Sequence, residues 1–158
     1  MGVENVKFTR KKILLVCGGN TCRSPMARVI LEQKIKARGI LDRFDVDSAA
    51  YDGPTFPGAS DNARKAIIKL FNIDFLASHE AKKLTPDLIN QSDLILVMGT
   101  RMKKGLPPEK TWTLKEFAGQ SGDIADPFGG DQDVYFRCAY EISSFLETMF
   151  PKLEEFLK

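Results

Sequence analysis

Residues 12–25 have the sequence KILLVCGGNTCRSP. Their apolar part, residues 12–16, is short, rich in branched side chains and closed by glycines, which predicts a buried strand. Residues 17–24 then form a polar loop, and Pro25 suits the first turn of a helix because its missing N–H is not needed there. Apolar residues at helical spacing follow and predict a helix that ends near Gly39. The stretch therefore predicts a strand, a polar loop and a helix in direct succession.

The same alternation continues along the rest of the chain. Further strands are predicted at 44–48, 94–98 and 111–113, and further helices at 59–71, 85–91 and 132–150. Strands that alternate with helices predict an α/β fold, with a central parallel sheet flanked by helices on both faces. The 158 residues suit one domain, 1–158, whose first 11 residues are predicted to be a frayed lead-in. Ligands in such sheets bind beyond the carboxyl ends of the strands, where the loop after the first strand lies.

Composition excludes several classes of protein. The chain has 23 Lys and Arg against 21 Asp and Glu, a net charge of +2, which is too balanced for a generic nucleic-acid coat. No apolar run approaches the ~18 residues of a membrane span, and the first residues lack the apolar core of a signal peptide. An odd number of cysteines, three, argues against a disulfide framework and for reduced thiols. We therefore expect a cytoplasmic protein.

The polar loop has the residue types that bind a phosphate. Backbone N–H groups in a tight loop before a helix can form a nest for an oxyanion, and glycines permit positive φ and close approach of the anion. The planar guanidinium of Arg23 suits two oxygens of a phosphate. The same positive surroundings favour a thiolate at Cys17, which would then attack a phosphoryl group bound above it. The predicted phosphate-binding residues are Gly18, Gly19, Asn20, Thr21, Cys22, Arg23 and Ser24.

The loop resembles the signature of the low-molecular-weight protein tyrosine phosphatases, V-C-x-G-N-x-C-R-S-P. The matching positions are Val16, Cys17, Gly19, Asn20, Cys22, Arg23, Ser24 and Pro25. The resemblance extends to residues 47–50 (DSAA), residues 78–81 (SHEA) and the Asp126-Pro127 pair. It implies a phosphatase that hydrolyses phosphotyrosine monoesters and small aryl phosphates through a phosphocysteine intermediate. This mechanism needs no cofactor or metal, and the single histidine, His79, excludes a multi-histidine metal site.

The same resemblance implies roles for individual residues. Asp126 would be the general acid, and Pro127 would help to fix its direction because the residue before a proline is restricted to extended conformations. The supporting hydrogen-bond network would consist of Asn20, Ser24, Ser48 and His79. Cys22 would be the redox partner of Cys17 and would capture it as a disulfide after oxidation.

The sequence also departs from the family pattern at the predicted substrate cleft. Tyr51 and Phe128 are the predicted aromatic walls, and Phe128 stands where the family usually has a tyrosine. Gly129 replaces a frequent second tyrosine, and Gly18 replaces a bulkier residue, so we expect a wider and less apolar mouth. Gly99 stands where a carboxylate often lies near the loop arginine, so Arg23 should have a different partner.

Two other functions fit parts of this pattern. A thiol-dependent arsenate reductase of the same fold needs two further cysteines, and only Cys138 remains outside the loop. A phosphoanion-binding module without turnover would need neither the thiol of Cys17 nor the acid Asp126. The favoured prediction is a monomeric phosphatase with phosphotyrosine proteins as substrates and inorganic phosphate or similar oxyanions as competitive ligands.

Overall fold

The computed structural model describes residues 9–156. Four strands form one sheet: β1 (Lys11–Cys17), β2 (Phe44–Ala50), β3 (Leu94–Val97) and β4 (Thr111–Thr113). The strand order is β2-β1-β3-β4 and every neighbouring pair is parallel. The predicted α/β class is therefore confirmed. Most of the predicted lead-in, residues 1–11, lies outside the described residues, and Lys11 already belongs to β1.

Six α-helices connect and cover the strands within residues 9–156. They are α1 (Arg23–Ala37), α2 (Asp61–Phe71), α3 (Pro86–Gln91), α4 (Leu114–Phe117), α5 (Gln132–Thr148) and α6 (Phe150–Glu155). Short 3-10 turns occur at Leu41–Arg43 and Thr100–Lys103. The helix predicted at 132–150 ends at Thr148, Met149 separates α5 from α6, and Pro151 occupies the first turn of α6. The short α4 was not predicted, because four residues are too few for a helical pattern to emerge.

Helices cover both faces of the sheet, as the alternating side chains of β1 demonstrate. Ile13 and Leu15 belong to the larger core, which also contains residues of α1, α2 and α5. Leu14 and Val16 belong to a second core on the opposite face, against which residues of α3 pack. A central parallel strand that is buried on both faces must be apolar at every position, which explains the continuous run in the sequence. No helix among residues 9–156 is long and apolar enough to cross a bilayer.

The polar loop lies where three strands end. The N–H of Tyr51, just after β2, donates to the carbonyl of Cys17 at 2.8 Å, and the N–H of Met98, just after β3, donates to that of Val16 at 2.9 Å. Asn20 has the positive φ of the loop, at 57°, rather than Gly18 or Gly19. Asparagine is one of the few residues with a side chain that tolerates this conformation. The loop is thus fixed to the strands on both sides of it.

Candidate active site

A cavity of about 280 Å³ opens at the carboxyl end of β1. It is lined by Cys17, Gly18, Gly19, Thr21, Cys22, Arg23, Asp52, Gly53, Thr55, Arg101, Asp126 and Phe128. We call the loop residues 17–24, which are buried or half-buried, the floor of this site. We call four exposed residues, Asp52, Arg101, Asp126 and Phe128, its rim. The cavity therefore brings together the predicted nucleophile, the loop arginine and the predicted acid.

The thiol of Cys17 lies at the bottom of the cavity, within 2.9 Å of the Ser24 hydroxyl. Asn20 Nδ2 donates to Ser24 Oγ at 2.8 Å and to Ser48 Oγ at 2.9 Å. Because its oxygen already accepts from Asn20, the Ser24 hydroxyl is free to donate its proton to the sulfur of Cys17. Such a donor stabilises negative charge on the sulfur.

His79 completes the network below the floor. Its Nε2 lies 2.9 Å from the backbone oxygen of Asn20, whose side-chain oxygen accepts from the Lys82 N–H at 3.1 Å. Burial lowers the pKa of His79, which favours the neutral ring with its proton on Nε2. The four residues assigned to the supporting network are thus in one chain of contacts.

Arg23 is the first residue of α1 and its side chain is only 8% exposed. Nη1 donates to the carbonyl of Ile124 at 2.7 Å, and Nη2 lies 3.7 Å from Asp126 Oδ2. The side chain of Asp126 is 58% exposed, and its Oδ1 accepts from the N–H of Phe128 at 3.1 Å. The buried arginine therefore connects the floor to the segment that presents the acid.

The family model of the low molecular weight phosphotyrosine protein phosphatases matches residues 12–158. The chain belongs to this family. It is therefore a cysteine-dependent phosphatase, as the loop pattern indicated. Its fold matches a low molecular weight protein tyrosine phosphatase from T. tengcongensis with a TM-score of 0.83 at 36% identity, over 90% of this chain and 99% of the other.

Relatives of this phosphatase carry two different substrate names. A protein-arginine-phosphatase from Geobacillus stearothermophilus is 36% identical over 90% of this chain and 96% of its own length. A low molecular weight protein-tyrosine-phosphatase, Ptp, from Acinetobacter johnsonii is also 36% identical, over 79% of this chain and 85% of its own. An YwlE arginine phosphatase with a phosphorylated active-site serine matches with a TM-score of 0.84 at 31% identity, over 93% of this chain and 99% of the other. Family membership alone thus leaves the substrate residue open.

In this phosphatase the carboxylate of Asp123 lies beside Gly99, while the partners of Arg23 are the Ile124 carbonyl and Asp126. A Cβ placed on Gly99 would lie 3.4 Å from Asp123 Oδ2, while Oδ1 accepts from the Thr100 hydroxyl at 2.7 Å and from its N–H at 2.9 Å. These two hydrogen bonds, and the charge of nearby Arg23, hold the pKa of Asp123 below its usual range. Sequence analysis missed this residue because the two positions are not adjacent along the chain.

Of the two aromatic residues predicted to line the cleft, one lies elsewhere. Phe128 lines the cavity and is 68% exposed. Tyr51 does not line it: its hydroxyl donates to the carbonyl of Lys104 at 2.7 Å, and its ring packs against the second core. Within residues 9–156, Phe128 is the one aromatic side chain of the lining, so one aromatic wall borders the cavity and not two.

Two further rim residues, Asp52 and Arg101, were not predicted from the sequence. Arg101 donates from Nη1 to Asp52 Oδ1 at 3.0 Å and from Nη2 to Oδ2 at 2.6 Å. Asp52 follows β2 and Arg101 lies in the turn after β3, 49 positions apart. No motif connects them, and only the position of both residues just after parallel strands could have suggested that they meet.

The remaining cysteines occupy different surroundings. Cys22 Sγ lies 3.3 Å from the Tyr135 hydroxyl and 3.4 Å from Ser60 Oγ, and burial raises the pKa of Tyr135. Cys138 lies outside the cavity lining, and burial raises the pKa of its thiol to about 12. All three cysteines are free thiols. A thiol with so high a pKa is a poor relay for a disulfide, which disfavours the arsenate reductase alternative.

Proposed function

We propose that this phosphatase removes phosphoryl groups from protein side chains through a phosphocysteine at Cys17. The sulfur bonds to phosphorus while the bond from phosphorus to the substrate side chain breaks. Asp126, as the carboxylic acid, gives its proton to the leaving oxygen or nitrogen. Arg23 and the backbone N–H groups of the floor stabilise the charge on the equatorial oxygens.

Water completes the cycle. It attacks phosphorus, its proton goes to the carboxylate of Asp126, and the sulfur–phosphorus bond breaks. Inorganic phosphate leaves and the Cys17 thiolate returns, stabilised by the Ser24 hydroxyl 2.9 Å away. Inorganic phosphate and similar oxyanions should compete with substrate, because they fit the same floor. The support for these roles is the placement of thiol, guanidinium and carboxyl group in one cavity.

The substrate that this site favours is phosphoarginine in proteins. The observation that carries this choice is the pair of carboxylates above the floor, Asp52 and Asp126, against one aromatic ring, Phe128. A guanidinium leaving group has several N–H donors for such carboxylates, whereas a phenol ring has none. Thr21 adds a further hydroxyl to the lining. The protein-arginine-phosphatase relatives agree with this choice.

Phosphotyrosine is the second candidate. Phe128 could support a phenyl ring on one side, and several relatives are named protein-tyrosine-phosphatases. A tyrosine phosphate, however, would place its ring beside the two carboxylates and would gain little from them.

Two peptides of one sequence, with either phosphoarginine or phosphotyrosine at the same position, separate the candidates. We expect kcat/KM to be at least about tenfold higher for phosphoarginine, since one charge-assisted hydrogen bond amounts to roughly 1.5–3 kcal/mol. The reverse preference would establish phosphotyrosine as the substrate. No turnover of either peptide by wild-type protein would contradict the proposal as a whole.

Oxidation is the proposed means of control. Peroxide would convert the Cys17 thiolate to a sulfenic acid, and the Cys22 thiol would then displace water to give a disulfide. Both thiols are in the eight-residue floor, 17–24, which supports their pairing. A thiol reductant would restore both groups.

A further inference from the structure

The ion pair between Asp52 and Arg101 lies across the mouth of the cavity. We infer that Asp52, oriented by Arg101, is a specificity-determining residue that accepts hydrogen bonds from the guanidinium group of a phosphoarginine substrate. This inference rests on the proposed function and adds to it a residue outside the signature loop. Three features of the rim support this role of Asp52.

The first feature is that the backbone fixes Asp52 against the floor. The N–H of Asp52 donates to the carbonyl of Gly18 at 3.0 Å. A Cβ on Gly18 would lie 3.0 Å from Asp52 Oδ2 and 3.4 Å from Arg101 Nη2. Glycine at this position thus leaves the space that the carboxylate and the guanidinium occupy. The carboxylate therefore lies directly beside the residue that follows the nucleophile.

The second feature is the hydrogen-bonding capacity left on Asp52. An ionised carboxylate offers about four lone-pair sites, and the bidentate contact with Arg101 uses two of them. The remaining sites can accept N–H groups from a planar cation in the cavity. Arg101 holds the two oxygens in one orientation, so little side-chain freedom is lost when such a cation binds.

The third feature is the alternation of charge around the mouth. The hydrogen bonds from Arg101 hold the pKa of Asp52 below its usual range, so that it stays ionised at neutral pH. Arg23 acts on Asp52 in the same sense, and Asp126 stabilises the charge of Arg101. A phosphoarginine has an anionic phosphoryl group beside a guanidinium, and it matches Arg23 on one side and Asp52 on the other. An aryl phosphate matches only Arg23.

The test compares two substrates, a phosphoarginine peptide and 4-nitrophenyl phosphate, on Asp52→Asn and Arg101→Gln. We expect the ratio of their kcat/KM values to fall at least tenfold in Asp52→Asn, with most of the change in KM for the peptide. Arg101→Gln should lower the ratio less, because the carboxylate remains but loses its orientation. Asp52→Glu should recover part of the ratio, which a purely structural role for the pair would not explain.

The matched control is another bidentate pair, the half-buried Arg64 with Asp74, which lies outside the cavity lining. Asp74→Asn should leave the ratio unchanged. Equal losses on both substrates in Asp52→Asn, or an unchanged ratio, would overturn the inference while leaving the proposed function intact. Wild-type protein that cleaves 4-nitrophenyl phosphate but not the phosphoarginine peptide would overturn the substrate proposal, and the inference with it.

Discussion

The floor and the rim of the cavity are built in opposite ways. The floor is one contiguous stretch, residues 17–24, held by hydrogen bonds from the Asn20 side chain to Ser24 and Ser48 and by the contact of His79 with the backbone oxygen of Asn20. The rim consists of exposed side chains from three separate segments, held by ion pairs and turns. In the proposed function, the floor carries out the phosphoryl transfer that all substrates share, and the rim recognises the leaving group. Substitutions in the floor should therefore affect every substrate, and those in the rim should affect some substrates more than others.

The largest effect is expected at the nucleophile. Cys17→Ser should lower kcat by at least about 10³-fold on any phosphate ester, because a serine hydroxyl is not ionised at neutral pH. The variant should still bind inorganic phosphate, which calorimetry can measure. Residual activity of more than a few per cent on 4-nitrophenyl phosphate would assign the nucleophile to another residue.

The next largest effect is expected at Asp126, the rim residue proposed as the acid. Asp126→Asn should lower kcat by roughly 10²–10⁴-fold. The loss should be greatest for leaving groups of high pKa, which depend most on a proton. The control is Asp133→Asn, an exposed carboxylate in the first turn of α5, which should behave as wild type. A uniform loss along a series of aryl phosphates would show that Asp126 is not the acid.

The difference between floor and rim also determines how much of the site the sequence predicts. The floor was predicted residue by residue, because strand, loop and helix are contiguous and their pattern is specific. Tyr51 was assigned wrongly to the cleft, since its direction depends on its contact with Lys104. Asp52, Arg101 and Asp123 could not be predicted, because each acts through a partner that only the folded sheet brings near. The order of the strands was likewise beyond the sequence, although their parallel arrangement was not.

A smaller effect is expected from the second thiol of the floor. Cys22→Ser should keep most of the wild-type activity, because the side chain takes no part in attack. After peroxide treatment, a thiol reductant should restore wild type several-fold better than the variant, whose sulfenic acid oxidises further. Cys138→Ser is the control and should recover like wild type. Equal recovery of wild type and Cys22→Ser would rule out the disulfide.

The smallest effect is expected on the stability of the protein, through the histidine that contacts the floor from below. His79 is the single histidine of the chain, and burial lowers its pKa in the folded protein. The unfolded chain therefore binds the proton more readily, so the free energy of unfolding should decrease as pH falls from about 7.5 to about 5.5. His79→Gln should remove this dependence. Urea titrations at both pH values test it, and the same slope in wild type and variant would contradict a buried neutral ring.

The central position of β1 has a consequence for how the enzyme loses activity. This strand is paired along its length with β2 and over residues 13–16 with β3. Amide protons in such a strand exchange with solvent mainly when the whole domain opens, whereas exposed loops exchange through local fluctuation. We therefore expect β1, to which Cys17 belongs, to be among the most slowly exchanging parts of the molecule. The thiol is reached through the cavity in the folded protein, so we expect thermal loss of activity to follow global unfolding, while deuterium enters the segment around Asp126 long before.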